Sequence, residues 1–398
     1  MSALSYREKK RQELSLDLIA SENYTPASIR ALAGSYAMHK YAEGYPGKRY
    51  YPGCSVVDAM ECETQKRALE LFALSHQTWA VNVQPYSGSI ANLAIYGALL
   101  KPGDTVLSLA LPAGGHLSHG SRASFSSKFF SFVHYGVDEA YRIDYEVMRR
   151  MALEHRPRLM VSGASAYPFA IDFKKIGALA KEIGAYHMAD ISHYAGLISA
   201  KAYPSPFPYA DVVMTTTHKS LFGPRGAVIF SRTPLSAAID KAVFPGLQGG
   251  PHMHTIAGIG EGFSYAHTHG SYYRRVTNNA QRLARQLVKR GIPLVGGGTE
   301  SHQLLLHTAA VGIRGDQAQD LLEQAGILAN RNMIASDASP QSPSAIRIGT
   351  YAVTARGMKE KDMSIIAGDI ADILLVRRTP SQVRKTVIAL CKKFPIRI

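Results

Sequence analysis

Lys219 stands inside Asp211-Val-Val-Met-Thr-Thr-Thr-His-Lys-Ser-Leu-Phe-Gly-Pro-Arg-Gly-Ala-Val-Ile-Phe230, where two short β-branched, apolar runs flank a polar loop. The pattern reads as strand, turn, strand. A lysine at the end of a buried strand is costly as a cation, and burial lowers its pKa. The neutral amine that results can form a Schiff base with an aldehyde. Four further features could serve such chemistry. Asp190 closes the run Tyr186 to Asp190, His116 follows Gly114-Gly115, Arg347 lies in Ala345-Ile-Arg-Ile-Gly349, and Ser87-Gly88-Ser89 separates a strand-like run from a helical one. Together they match the needs of an aldehyde cofactor such as pyridoxal phosphate. Those needs are a Schiff-base lysine, an acid on the pyridine nitrogen, a flat stacking ring, a phosphate cradle and an anchor for a substrate carboxylate. Each has a plainer reading alone: Asp190 as a helix cap, His116 as a core histidine, Arg347 as a surface ion-pair residue, Ser87 as an N-cap. Their joint occurrence favours the site.

Such residues must be held by a scaffold, and the surrounding pattern supplies one. Strands are expected at 79–83, 105–111, 130–135, 158–162 and 186–190, with helices after residue 90, near 144–155 and near 173–183. This alternation predicts an α/β fold, a mostly parallel sheet sandwiched by helices. In such sheets ligands bind beyond the carboxyl ends of the strands. Asp190, His193 and Lys219 all fall there. After Gly246-Leu-Gln-Gly-Gly-Pro251 the chain turns to long helices (about 254–290) and then to a smaller α+β region. That region has strands near 303–308 and 345–349, a helix at 316–324 and two closing helices. We therefore divide the chain into an arm (1–14), a large domain (15–265) and a small C-terminal domain (266–398).

The chain has 398 residues, 46% of them hydrophobic, which is ample for two cores. The first twenty residues lack a signal-peptide core, and no run approaches membrane-span length. Cys54, Cys62 and Cys391 show no metal spacing and suggest a reducing, cytoplasmic setting. Formal net charge is +15, and Arg377, Arg378, Arg384, Lys385, Lys392, Lys393 and Arg397 follow the last acid, Asp372. Val383, Val387, Ile388 and Cys391 share a helical face, which favours a docked helix with a solvated basic side over a nucleic-acid contact.

The motifs LIASEN, KYAEGYPGKRYY, QPYSGSIAN, GGHLSHGS, TTTHK, GPRG, AVFPGLQGG and IRIGT, in that order from Leu18, resemble serine hydroxymethyltransferases, which are fold-type-I pyridoxal phosphate enzymes. The resemblance implies that Lys219 carries the cofactor and Asp190 faces its pyridine nitrogen. His193 and Ser165 would lie near the phenolic oxygen, and His116 would stack on the ring. Ser87, Gly88, Ser89 and His218 would bind phosphate, with Tyr41 and Gly250 contributing from a second subunit of a homodimer or homotetramer. Ser21 and Arg347 would hold the amino acid carboxylate. Glu43 would move protons at the hydroxyl, supported by Tyr51, Thr216 and Arg225. Leu111, Leu117, Tyr50, Phe244 and Asn332 would contact folate.

The implied reaction is reversible transfer of the serine hydroxymethyl group to tetrahydrofolate, giving glycine and 5,10-methylenetetrahydrofolate. Several features depart from the family pattern. Tyr86 and Ala113 replace histidines, Ile90 replaces a glutamine, a short insertion falls within Ala73 to Ala80, and the loop Ser336 to Ala345 is shorter. The alternatives are a folate-independent threonine aldolase or transaldolase of the same family, and a non-enzymatic cofactor-bearing scaffold.

Overall fold

The computed structural model describes residues 1–339 and 341–397. Pro340, within the loop Ser336 to Ala345, and Ile398 lie outside the described residues. The centre of the molecule is a seven-stranded sheet: β1 (Trp79–Asn82), β2 (Thr105–Leu109), β3 (Ser131–Tyr135), β4 (Leu159–Ser162), β5 (Tyr186–Asp190), β6 (Val212–Thr216) and β7 (Ala227–Arg232). Their order is β1-β7-β6-β5-β4-β2-β3. The pairs from β3 to β6 are parallel, whereas β7 runs antiparallel to both β6 and β1. The antiparallel strand follows from the sequence. The polar turn after β6 is too short for a crossover, so the chain folds straight back beside β6.

Side-chain alternation explains why this sheet is covered on both faces. Val212 and Met214 of β6, with Ala227 and Ile229 of β7, pack on one side with Ala91, Ala94 and Ile95. Val213, Val228 and Phe230 point to the other side, toward Phe173, Ile176, Ile256 and Phe263. The helix Phe173–Ile183 shows how local sequence sets such an element. Asp172 caps it by accepting from Lys175 N at 3.0 Å, Gly184 ends it in the left-handed region at φ +73°, and Phe173, Ile176, Leu179 and Ala180 form its buried stripe.

The C-terminal region is built on an antiparallel sheet with Ala345–Gly349 between Gln303–Leu306 and Asn330–Asn332. Against it pack the helices Gly315–Gln324, Glu360–Leu374 and Pro380–Lys393. The last of these buries Val383, Val387, Leu390 and Cys391, with Ile388 at the edge of that stripe. A short helix, Tyr351–Ala355, precedes the two expected closing helices.

Two features differ from the expected boundaries. Leu16 and Leu18 belong to the C-terminal core, because Leu16–Asp17 pairs in parallel with Ile327–Leu328. The two cores also hand over inside the helix Gly270–Lys289 rather than at residue 265. Tyr272, Tyr273 and Val276 join the first core, and Ala280, Leu283 and Leu287 the second. A helical stripe shows which positions are buried but not which neighbour buries them. The arm is the helix Ser2–Glu13, which buries none of its residues. Among the described residues no helix is long and apolar enough to cross a membrane.

Candidate active site

The site begins where β5 and β6 end. Asp190 is the last residue of β5, and the chain leaves β6 at Thr216 into a closed turn. Thr217 N donates to Gly226 O at 3.1 Å, Gly223 N to Thr217 O at 2.9 Å, and Thr217 Oγ1 to Pro224 O at 2.6 Å. That turn aims His218, Lys219 and Arg225 into a cavity of about 310 Å3. Ser21, Glu22, Ser87, Gly88, Ser89, Asn92, His116, His119, Ser165, Asp190, His193 and Thr216 also line it. A second cavity of about 400 Å3 shares Ser21, His116, Ser165, His193 and Lys219 with the first, and adds Leu111, Leu117, Asn330, Asn332 and Arg347.

Burial sets the electrostatics. Lys219 is only 9% exposed, and desolvation brings its pKa down to about 8. The Asp190 charge opposes that shift, while Arg347 and Arg225 reinforce it. Burial would raise the pKa of Asp190. The His119 hydrogen bond and the nearby positive groups outweigh it and hold the carboxyl well below its usual range. Asp190 Oδ2 accepts from His119 Nε2 at 3.1 Å and Asn92 Nδ2 at 3.3 Å, and Oδ1 accepts from Ser192 N at 3.0 Å. A buried acid is thus kept as an anion. Desolvation takes His116 to about 4 and His218 to about 3, so both rings are neutral near pH 7. Arg347 is depressed to about 10 by burial. It donates to Ser165 O at 2.7 Å and Asn330 Oδ1 at 3.1 Å, and it forms no ion pair with a carboxylate among the described residues.

A family model for serine hydroxymethyltransferase matches residues 1–370. A serine hydroxymethyltransferase from Polynucleobacter asymbioticus is 47% identical over 395 residues, covering 98% of this chain and 94% of that relative. The chain belongs to the serine hydroxymethyltransferase family. Enzymes of this family use pyridoxal phosphate, with tetrahydrofolate as co-substrate.

The residues of the first cavity fit that cofactor. Thr216 Oγ1, His218 Nδ1 and Asn92 Oδ1 are buried there without any hydrogen-bond partner in the protein, which is the state of groups that await a polar ligand. The helix Gly88–Leu99 opens on the cavity with Ser87 as its cap. A Cβ on Gly88 would lie 2.7 Å from Thr216 Cγ2, so only glycine lets this N-terminus come so close to β6. Backbone N–H groups at such an end favour an anion such as phosphate.

Other family positions lie elsewhere. Tyr41, Glu43, Tyr50, Tyr51, Phe244 and Gly250 do not line the Lys219 cavity of this chain. They gather around the hairpin of Gly44–Tyr45 and Lys48–Arg49. Tyr41 and Tyr51 rings are 4.8 Å apart, and Tyr50 and Phe244 rings 5.8 Å. The Tyr41 ring also lies against Gly250. Arg49 pins the hairpin there. It pairs with Asp58 at 2.8 Å and Glu61 at 2.6 Å, and donates to Ala42 O and Gly44 O. The folate set is split in the same way, with Leu111, Leu117 and Asn332 on the second cavity and Tyr50 and Phe244 on the hairpin side.

Asn92 and His119, which hold Asp190, were not singled out in the sequence. Each had a faint signal. Asn92 lies one helical turn after Ser89, and His119 one turn after His116.

Proposed function

We propose that this chain transfers the serine hydroxymethyl group reversibly to tetrahydrofolate, with Lys219 as the residue that carries pyridoxal phosphate. The observation that bears most weight is an amine with its pKa brought to about 8, in one cavity with an ionised Asp190. When bound, the cofactor would supply an electron sink for the pair left at Cα when the Cα–Cβ bond of serine breaks.

The protein's own groups bind, orient and move protons. Asp190, fixed by His119, Asn92 and Ser192, would hold the proton on the ring nitrogen. His116 would stack on the ring. Ser87, Gly88, Ser89 and His218 would hold the phosphate, with His193 and Ser165 toward the phenolic oxygen. Arg347, with Ser21, forms paired hydrogen bonds to the substrate carboxylate. Thr216 and Arg225 support Lys219 from the turn. Leu111, Leu117 and Asn332 receive the folate.

Glu43 and Tyr51 act on the serine hydroxyl from a second copy of the chain, along with Tyr41, Tyr50, Phe244 and Gly250. The exposure of Tyr41 (55%) and Tyr50 (74%) within one chain supports that reading, as does their absence from the lining of the Lys219 cavity. The working unit is then at least a dimer. Three free cysteines agree with a cytoplasmic setting.

Serine turnover measured with and without tetrahydrofolate tests the reading. The expected result is much faster formation of glycine with folate present. Equal rates in both would sink it in favour of a folate-independent aldolase.

A further inference from the structure

His302 lies behind the cavity, fully buried, and lines neither pocket. Its Nε2 is 3.1 Å from the carbonyl oxygen of Ala20 and 3.4 Å from Nδ1 of His193. The planes of the two imidazoles differ by 16°, with centroids 5.5 Å apart, so with nitrogens this close the rings meet edge to edge rather than face to face. Below, Tyr351 stacks on His302 at 4.2 Å and donates its hydroxyl to His193 O at 2.8 Å. Thr350 N donates to the carbonyl of His302 at 3.1 Å. The backbone carbonyls of both histidines are thus held, and turning the His302 ring would break its contacts with Ala20 O and His193 Nδ1.

The hydrogen positions follow by elimination. A carbonyl oxygen only accepts, so the hydrogen of His302 is on Nε2. Its Nδ1 is buried and has no partner, which suits a bare nitrogen better than an N–H. Burial drives the pKa of His302 down to about 3 and that of His193 well below its ordinary value, so both rings are neutral. With its single hydrogen directed to Ala20 O, His302 Nε2 keeps no lone pair to accept from His193, so the bare form of His193 Nδ1 is the one that fits beside it. The hydrogen of His193 then lies on Nε2, on the edge turned away from His302.

We propose that His302 is a positioning residue that locks His193 in the Nε2–H form and ties it to the Ala20–Ser21 segment, so that His193 presents an N–H donor to the cofactor cavity. Ala20 precedes Ser21, which lines both cavities, and its Cα packs where a Cβ on Gly349 would stand, 2.6 Å away. Gly349 ends the strand that carries Arg347. One buried ring thereby joins the segment proposed to hold the substrate carboxylate to a histidine proposed to face the cofactor. What the donated N–H does rests on the functional reading above; the tautomer itself does not.

Histidine-selective 15N NMR of the full chain, with and without pyridoxal phosphate, reads the tautomer directly. His193, assigned by loss of its signals in His193→Asn, should show a protonated Nε2 and a bare Nδ1. An Nδ1–H pattern in the wild-type chain would overturn the proposal, whether or not serine is turned over. His302→Phe keeps the stack on Tyr351 but removes the donor. It should give a mixed His193 pattern, a shifted visible band of the bound cofactor and kcat lower by about five- to tenfold. His302→Gln restores an N–H near the Nε2 position and should recover kcat to within about twofold of wild type. An unchanged His193 pattern in His302→Phe, or no recovery in His302→Gln, would assign His302 to packing alone.

Discussion

The Lys219 cavity and the tyrosine hairpin hold comparable numbers of reactive or aromatic side chains but are built in opposite ways. Lys219 and Asp190, at the heart of the cavity, are buried at strand ends and turns of one sheet; desolvation lowers the pKa of Lys219, while the His119 hydrogen bond and nearby charges hold that of Asp190 low. Tyr41, Tyr50 and Tyr51 at the hairpin are exposed, with Tyr50 at 74%, and the hairpin is clamped by the buried Arg49 side chain against Asp58 and Glu61. The first region creates reactivity by excluding water. The second is held by buried ion pairs and leaves its tyrosine rings in solvent. The difference is what the proposed division of the catalytic apparatus would require, with tuned groups in one chain completed by pre-set groups from another.

The sharpest way to break this comparison is to remove the tuned amine. Lys219→Ala should lower serine turnover by at least ~10³-fold. Borohydride treatment should no longer fix pyridoxal phosphate to the chain. Activity near wild type would remove the cavity from the chemistry.

Glu43→Ala tests the other region. Turnover should fall by about 10²- to 10⁴-fold, as expected for loss of a proton-transferring carboxyl. Mixing this variant with Lys219→Ala, after dissociation and reassembly, should restore about a quarter of wild-type activity, since half of random dimers are hybrids with one intact site. A mixture that stays inactive would place Glu43 and Lys219 in the same chain's site, and the division would be lost.

Arg347→Ala leaves a substrate carboxylate in the cavity with no cation beside it. The cost is about 2–5 kcal/mol, or a serine KM raised by about 30-fold or more, with a smaller effect on kcat. An unchanged KM would assign the carboxylate to another group.

The smallest effect is a slope. Uptake of pyridoxal phosphate by the cofactor-free chain should quicken about tenfold per pH unit up to pH 8 and then level off, because Lys219 is neutral above its pKa of about 8. A lysine of ordinary pKa would keep accelerating toward pH 10. The linked stability has the same direction. The folded pKa lies below the unfolded value, so the unfolded chain binds more protons between about pH 8 and 10.5, and the Lys219 contribution to stability should rise across that window. Stopped-flow absorbance and urea melts at several pH values check both.

Much of this protein was legible from residue types in order. The short apolar runs placed strands of the sheet, and the helix expected near 173–183 falls at Phe173–Ile183. The positions of Asp190 and Lys219 at successive strand ends already implied that they meet. Those features are local, or follow from how parallel strands must align.

Three things were decided only by tertiary structure. The pairing of Leu16–Asp17 with Ile327–Leu328 joins segments far apart in the chain and has no sequence marker. Glu43 and Tyr51 line neither cavity of Lys219, which residue spacing alone does not reveal. His302 looks like any strand-edge histidine until its ring is seen between Ala20 and His193. Sequence fixes what a residue can do and which way its element faces. Contact between distant segments sets its charge state and its neighbours, because desolvation and hydrogen bonding act through space rather than along the chain.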